Sequence, residues 1–286
     1  MKKIIYFIEF IIICFLFFVF NFLGYKLSSN LGFFIGKTFG PLFRSKKLVI
    51  ENLKKSNIQL KKNYNDSANE IFGNYGRIFA EYPFIKNFRK GNLERYIEID
   101  GKKYLDEIKS KNKKVVFISG HFNNFELMAM EIEKSGVDLS AIYRPLNNIF
   151  LNKIMENIRT NYICQKQIKK GRSGTREIIE NLKKGSSIAL MIDQRVREGV
   201  KVNFFGNLAT TTTIPAQLVK KYKCELVPIY IERRSKFHFK MYVSEPIKVG
   251  ENKTVDEITE FLNTVLEKMI LKNPLQWIWT HDRWKK

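Results

Sequence analysis

Two residues that can move a proton stand five positions apart in this chain. They are His121 and Glu126, in the stretch KKVVFISGHFNNFE. Val115–Ser119 predicts a buried strand, Gly120 predicts a turn, and a helix is expected to start near Asn124. In one continuous helix the two side chains would point about 140° apart, so they can meet only if His121 lies on the turn. The carboxylate would then keep one ring nitrogen protonated and leave the other free as a base.

A solvated histidine at the end of a strand is the alternative interpretation. Because 28 of the 286 residues are Asp or Glu, an acid at the fifth position after a histidine is expected by chance about once in ten. The order of strand, glycine turn and helix favours the catalytic interpretation. Asn123 or Asn124 is then expected to cap the helix.

Beyond Tyr96 the chain alternates strand patterns with helix patterns. Strands are expected at 115–119, 139–143, 187–192, 201–205, 225–231 and 237–243, and helices at 124–135, 148–161, 173–184, 213–223 and 254–272. This alternation predicts an α/β fold with a mixed, mostly parallel central sheet flanked by helices. Ligands bind beyond the carboxyl ends of the strands in such sheets, which would bring His121, Arg144 and Asp193 to one cleft.

Cationic side chains follow two of these segments. Arg144, in Tyr-Arg-Pro, has a planar guanidinium that suits a phosphate or a developing oxyanion; a surface arginine that caps a helix is the alternative. The stretch GRSGTR at 171–176 opens a helix with free amides and with Arg172 and Arg176, which favours an anion site. It follows no clear strand and lacks the spacing of a nucleotide-binding loop.

Asp193 and Gln194 end the predicted strand at 187–192. Asp193 is expected to orient Arg144 or Arg172, or to bind an acceptor hydroxyl; a salt bridge in a loop is the alternative. The segment QWIWTHDRW at 276–284 combines tryptophans with basic residues. It is expected either at a membrane interface or as the segment that closes the fold.

Composition restricts the class of partner. With 50 Lys and Arg against 28 Asp and Glu, the net charge is +22, which favours an anionic partner such as nucleic acid, an acidic membrane, or an anionic substrate or carrier protein. The cysteines at 14, 164 and 224 form no C-x-x-C pair, and only three histidines occur. We therefore predict neither a disulfide framework nor a metal site.

The amino-terminal segment has the length of a membrane anchor. Residues 4–23 are apolar except for Tyr6, Glu9 and Asn21, and about 20 such residues can cross a bilayer. No small-residue cleavage site follows, so an uncleaved anchor is predicted, with the more basic carboxyl-terminal side in the cytoplasm. The predicted organisation is an anchor helix at 1–24, interfacial and flanking helices at 25–95, and an α/β core at 96–286.

Taken together, these motifs resemble those of the bacterial lipid A late acyltransferases, the lauroyl/myristoyl group within the lysophospholipid acyltransferase superfamily. The resemblance covers nearly the whole chain. It rests on the anchor and on the following motifs: SGHFNNFE at 119–126 as the His-x4-Asp/Glu motif, YRP at 143–145, GR at 171–172 with Arg176, DQ at 193–194, FFG at 204–206, and 274–284. The family usually has Gly-Asn-Trp where this chain has 123–125, and a second Asp where it has Arg195.

The resemblance implies a membrane-bound O-acyltransferase of the bacterial inner membrane. His121, oriented by Glu126, would deprotonate a hydroxyl of a lipid A precursor, which attacks an acyl-carrier-protein or acyl-CoA thioester without an acyl-enzyme. Asn124, Arg144, Arg172, Arg176, Asp193 and Gln194 would bind substrate. The implied partners are acyl carrier protein, an anionic glycolipid and the membrane, with no cofactor and no nucleic acid. The alternatives are a related acyltransferase acting on a lysophospholipid or a glycosylated phospholipid, and a non-enzymatic basic membrane-anchored binding protein.

Overall fold

The computed structural model describes residues 2–285 of the chain, without the side chain of Arg172. The helices are α1 Lys2–Phe43, α2 Lys46–Lys55, α3 Tyr64–Glu81, α4 Ile85–Arg89, α5 Lys102–Ser110, α6 Glu126–Lys134, α7 Ile149–Ile158, α8 Arg172–Lys183, α9 Ile214–Tyr222 and α10 Val255–Lys272. The strands are β1 Ile97–Asp100, β2 Val115–Ser119, β3 Leu139–Tyr143, β4 Lys166–Lys169, β5 Ser187–Met191, β6 Val200–Phe204, β7 Asn207–Thr211, β8 Glu225–Arg233 and β9 Phe239–Val243. Short 3-10 turns lie at Tyr82–Phe84, Glu94–Tyr96 and Pro274–Gln276, and α7 continues into a π-helical turn, Arg159–Ile163.

Seven strands form the central sheet in the order β1-β9-β8-β2-β5-β3-β4. Neighbouring strands are parallel except for the antiparallel pair of β8 and β9. The mixed, mostly parallel sheet flanked by helices is therefore confirmed. Strand β2 is central and buried on both faces, which explains why its sequence is a continuous apolar run rather than an alternating one.

Three strands escaped the sequence analysis because each lacks a strong apolar pattern. Strands β1 and β4 lie at the two edges of the sheet, where solvent covers one side and polar residues alternate with buried ones. Strand β7 occupies the threonine-containing stretch just before the helix expected at 213–223. It pairs with β6 across Phe205 and Gly206, whose φ values of 51° and 69° are those of a tight hairpin turn.

Helix α1 is kinked at Gly24, where φ is 74° and ψ is 166°. The backbone at Gly24 is non-helical, so two helical segments meet there, at the position where the sequence separated an anchor at 1–24 from the helices that follow. The second half of α1 packs closely on α3, because a Cβ added to Gly76 would lie 1.9 Å from the carbonyl oxygen of Gly32. Among residues 2–285, α1 is the one helix long and apolar enough to cross a bilayer.

A buried carboxylate connects α1, α3 and the sheet. Glu81 is fully buried and accepts hydrogen bonds from the Ser29 hydroxyl at 2.6 Å and from the Arg233 guanidinium at 2.8 Å. The Asn124 amide donates a longer bond of 3.4 Å to the same carboxylate. Removing one partner of a buried ion pair leaves the other charge unpaired and lowers stability. Through Asn124 this cluster also holds the turn after β2 against helices α1 and α3.

Candidate active site

His121 lies on the turn that follows the central strand β2, as its sequence context predicted. Strands β2 and β5 are parallel neighbours with Ser119 opposite Met191. The residue that follows β5 by two positions, Asp193, therefore arrives beside His121. The turn between them has little room, since a Cβ added to Gly120 would lie 3.1 Å from a carboxylate oxygen of Asp193.

Asp193 holds His121 through two hydrogen bonds. The imidazole Nδ1 lies 2.8 Å from Asp193 Oδ1, and the backbone N–H of His121 donates to Oδ2 at 2.7 Å. The indole N–H of Trp277 donates to the same Oδ2 at 2.9 Å. Asp193 is fully buried, whereas 21% of the His121 side chain is exposed. The imidazole is therefore held from inside the protein and has one open side.

The two groups of this pair shift each other's pKa. Burial disfavours the charged form of His121, but the Asp193 carboxylate outweighs it and raises the pKa of the imidazole above its ordinary value. Burial likewise opposes ionisation of Asp193, yet His121 and the N–H donors around the carboxylate lower its pKa. The structure thus keeps Asp193 ionised beside a histidine that gains a proton readily.

The expected hydrogen bond between Glu126 and the imidazole is wrong in this structure. Glu126 Oε1 instead accepts two bonds from the Arg159 guanidinium, at 3.0 and 2.8 Å, and a longer bond from the Tyr82 hydroxyl at 3.4 Å. The reason is that Nδ1 of His121 is already occupied by a carboxylate from the adjacent strand. Glu126 still lies close enough to raise the pKa of His121 by its charge.

The predicted capping role of the two asparagines is also wrong. Helix α6 begins at Glu126, after Phe125, and has no side-chain cap. Asn123, which has φ of 42°, donates its backbone N–H to the Gln276 carbonyl and its side-chain amide to Gln276 Oε1. Asn124 is fully buried and bonds to Glu81. Their amides therefore brace the turn against its neighbours instead of starting the helix.

Cationic side chains surround the carboxyl ends of β3 and β4. Arg144 follows β3 and is exposed, and Lys170 follows β4. Burial and the charge of Arg144 lower the pKa of Lys170, so the two cations lie near each other. Arg176 is exposed on α8, and among the described side chains none of these three has a carboxylate within ion-pair distance.

Three details of the predicted anion site need correction. The stretch that opens α8 does follow a strand, β4, which its lysine-rich sequence had hidden. Arg172 begins α8, and its side chain lies outside what the structure describes. Asp193 orients neither Arg144 nor Arg172, because it is buried against His121. Gln194 is half-buried next to it, and its predicted role in binding stays a prediction.

Arg159, which binds Glu126 beside the site, could not be predicted from the sequence. Arg159 lies in the π-helical turn after α7, and its Nη1 is buried without a hydrogen-bond partner among the described residues. A π-helical turn is often found at functional sites, but no local sequence signal marks it.

The tryptophan-rich segment closes the fold, since its three tryptophans are at most 5% exposed, and the membrane-interface alternative is wrong.

The site consists of an imidazole held by a buried carboxylate at the carboxyl edge of a mostly parallel sheet, with cationic side chains on neighbouring strand ends. Enzymes use such an arrangement to move a proton to or from a bound anionic substrate. The fold and this site define the chain as an α/β enzyme with a histidine at its centre.

The family to which it belongs is that of the bacterial lipid A biosynthesis acyltransferases, whose family model matches residues 1–286. A lipid A biosynthesis palmitoleoyltransferase of Escherichia coli (strain K12) is 24% identical over 222 residues, which cover 76% of this chain and 70% of that protein. A lipid A biosynthesis lauroyltransferase of the same organism is 25% identical over 201 residues, which cover 68% of this chain and 63% of that protein. A lipid A biosynthesis acyltransferase of Shigella flexneri is also 24% identical over 222 residues. The chain is therefore an O-acyltransferase of the lipid A biosynthesis type.

Proposed function

We propose that the enzyme transfers a fatty acyl chain from an acyl-carrier-protein thioester directly to a hydroxyl of a lipid A precursor, with His121 as the general base. The observation that carries this proposal is the hydrogen bond between His121 Nδ1 and the buried carboxylate of Asp193. An ionised carboxylate accepts and cannot donate, so Nδ1 carries the proton. Nε2 is then the unprotonated nitrogen of a side chain that is 21% exposed.

The reaction balances around this nitrogen. Nε2 takes the proton of the acceptor hydroxyl while its oxygen forms a bond to the thioester carbonyl carbon. The tetrahedral intermediate collapses with cleavage of the carbon–sulfur bond, and the imidazolium returns the proton to the departing thiolate. Asp193 stabilises the imidazolium between these steps, in the way that a buried carboxylate supports a catalytic histidine in other enzymes.

A direct attack fits the surroundings of His121 better than a covalent acyl-enzyme. The nearest hydroxyl in sequence, that of Ser119, is buried and donates towards the Gly120 carbonyl and the Met128 sulfur at 3.4 Å. It therefore makes no hydrogen bond to the imidazole that would activate it as a nucleophile. Arg159, anchored by Glu126, has its Nη1 without a hydrogen-bond partner among residues 2–285, and this group would donate to the oxyanion of the intermediate.

The charge of the protein supports anionic substrates and an acidic carrier. Lys170 lies close enough to Arg144 and Asp193 for both charges to act on its pKa, and Arg176 is exposed on α8. Such cations bind phosphate as a bidentate fork or as a point charge. The net charge of +22 would also attract acyl carrier protein by long-range steering. The site works without a cofactor in this mechanism, since the thioester supplies the activated acyl group.

The apolar helix α1 and the lipid A relatives suggest membrane association. We place the enzyme at the bacterial inner membrane with the catalytic body facing the cytoplasm, because its net charge of +22 is attracted by the anionic lipids of the cytoplasmic leaflet. This orientation would put the site on the side where acyl carrier protein is found.

Paired substrate assays test the proposal. Acyl-carrier-protein and acyl-CoA thioesters are compared as donors, and a lipid A precursor, a lysophospholipid and a glycosylated phospholipid are compared as acceptors. His121→Ala should lower turnover by about 10²–10⁴-fold, the usual value of a general base. The variant should stay folded at the assay temperature, although its unfolding temperature should fall because the buried Asp193 carboxylate loses a partner. Parental turnover in this variant would refute the mechanism, and preference for another acceptor would refute the substrate assignment.

A further inference from the structure

The first half of α1, residues 2–23, does not leave the protein as a stalk. One side of it lies against the body along most of its length. Near its start, the ring of Phe10 lies 5.9 Å from that of Phe150 at the beginning of α7. Near its end, Phe17 lies 5.3 Å from Phe79 in α3, and Phe20 is 1% exposed.

A polar contact at the far end of this segment fixes its position. Glu9 is the only charged residue between positions 4 and 23, and a charge within a membrane segment is costly without a partner. The amide Nδ2 of Asn148 donates to Glu9 Oε2 at 3.0 Å and to the Tyr6 carbonyl at 2.8 Å. The other end of the same amide, Oδ1, accepts from the first N–H groups of α7. Asn148 thus joins the start of α7 to the apolar helix.

These contacts restrict how the helix can meet a bilayer. They extend from Tyr6 to Phe20, about 21 Å along the axis at 1.5 Å per residue. Only residues 2–5 lie beyond the last contact in the described chain, whereas a crossing needs about 20 apolar residues free of the body. The helix cannot cross a bilayer and leave its body outside the lipid.

The side of the helix that faces away from the body is apolar throughout. Its side chains are exposed in an unbroken succession: Ile4, Ile5, Ile8, Ile11, Ile12, Phe15, Phe18 and Phe22, each at least 50% exposed. Beside Asn148, Leu146 is 39% and Ile149 is 50% exposed. Contiguous apolar surface of this extent marks an interaction site, and here it joins the loop that carries Arg144 to the helix.

We propose that the outer side of residues 2–23 and the start of α7 form one surface that is immersed in a single leaflet of the bilayer. The helix then holds the loop at 144–149 at the depth of the lipid, and the amino terminus stays on the same side of the membrane as the catalytic body. The bilayer is the occupant because residues 4–23 are apolar on nearly every side, so the helix needs an apolar partner both where it meets the body and where it faces away from it. Lys2 and Lys3 at its end can reach the lipid headgroups. The inference rests on the membrane association of the proposed function.

Lipid contact is measured with tryptophan probes in vesicles of brominated lipid. The native tryptophans are buried and provide a constant background. Leu146→Trp and Phe18→Trp should both be quenched, and Leu208→Trp, on the exposed β6–β7 hairpin at 63% exposure, should not. If Leu146→Trp is quenched no more than Leu208→Trp, the proposed surface is wrong. Cross-linking between copies through position 146 without quenching would assign the patch to a second copy of this chain and likewise overturn it.

The side of the amino terminus is measured by cysteine labelling. In a Cys14→Ala background, Lys3→Cys is treated with a membrane-impermeant maleimide in intact spheroplasts and after lysis. Labelling only after lysis is expected, and labelling in intact spheroplasts would show that the helix spans the bilayer. Neither measurement depends on turnover. An active enzyme that fails them keeps the proposed function and loses this inference.

Discussion

The Asp193→Asn substitution tests which carboxylate orients His121, the proposed general base. Oδ2 of Asp193 accepts two N–H groups that cannot act as acceptors, the His121 amide at 2.7 Å and the Trp277 indole at 2.9 Å. In Asp193→Asn the new NH2 group cannot occupy that place, so the amide oxygen must. The NH2 group then faces Nδ1 of His121.

That orientation reverses the tautomer of the ring. Nδ1 becomes the acceptor and the proton moves to Nε2, which can no longer take a proton from a hydroxyl. The expected loss in kcat is the whole value of the general base, about 10²–10⁴-fold. Glu126→Gln retains an oxygen that can accept from Arg159 and does not touch Nδ1. Its loss should be smaller by at least an order of magnitude, about tenfold or more.

The assay is steady-state acyl transfer with a saturating thioester donor, together with thermal unfolding of each variant. Both substitutions are nearly isosteric, so a comparable unfolding temperature separates loss of chemistry from loss of fold. If Glu126→Gln loses as much turnover as Asp193→Asn, or Asp193→Asn keeps more than about a tenth of parental turnover, the assignment of Asp193 as the orienting carboxylate is refuted.

Three further outcomes follow from the geometry. Since Asp193 raises the pKa of His121, kcat/KM should fall on the acid side from a pH above 6.5. The same pKa shift contributes stability that is complete below pH 6.5 and is lost as the pH rises through the folded pKa. If the acid limb of kcat/KM lies below pH 6.5, both expectations are wrong. Trp277→Phe removes one donor to the Asp193 carboxylate and should move the acid limb of kcat/KM to higher pH. The Trp279 indole donates to a backbone carbonyl, so Trp279→Phe should leave the acid limb in place. Equal acid limbs in the two variants would argue against a positioning role of Trp277. Gly76→Ala places a Cβ 1.9 Å from a carbonyl oxygen of α1 and should lower the free energy of unfolding by about 1–3 kcal/mol, while Gly250→Ala, with its nearest contact at 4.0 Å, should change it by less than about 0.5 kcal/mol, as measured by denaturation in detergent.

The local pattern of the chain was sufficient to place the histidine and the sheet. The apolar run at Val115–Ser119 followed by glycine marks a buried strand and a turn, so His121 was expected at a strand end. The apolar stretch at 4–23 marked the long apolar helix at the start of the chain. Each of these inferences depends on the periodicity of neighbouring residues, which a single sequence contains.

The partner of the imidazole was decided by strand order. Asp193 is 72 positions from His121, and it reaches the ring only because β5 pairs with β2 in the sheet. Glu126, the nearer acid, was drawn away by Arg159 from a π-helical turn that has no sequence signature. Spacing therefore placed His121 correctly on the turn after β2 and predicted the wrong hydrogen-bond partner for it.

The same division applies to the helix α1. Its apolar composition was determined by the sequence, but the side that meets the body was decided by contacts with Phe150 and Phe79 and by the Asn148 amide. Hydrophobicity is a property of a local stretch, whereas pairing depends on which distant groups the fold brings within about 3 Å, the range of a hydrogen bond. For this reason the sequence determined the central strands and the position of His121 at a strand end, and the tertiary structure alone decided which carboxylate holds the imidazole.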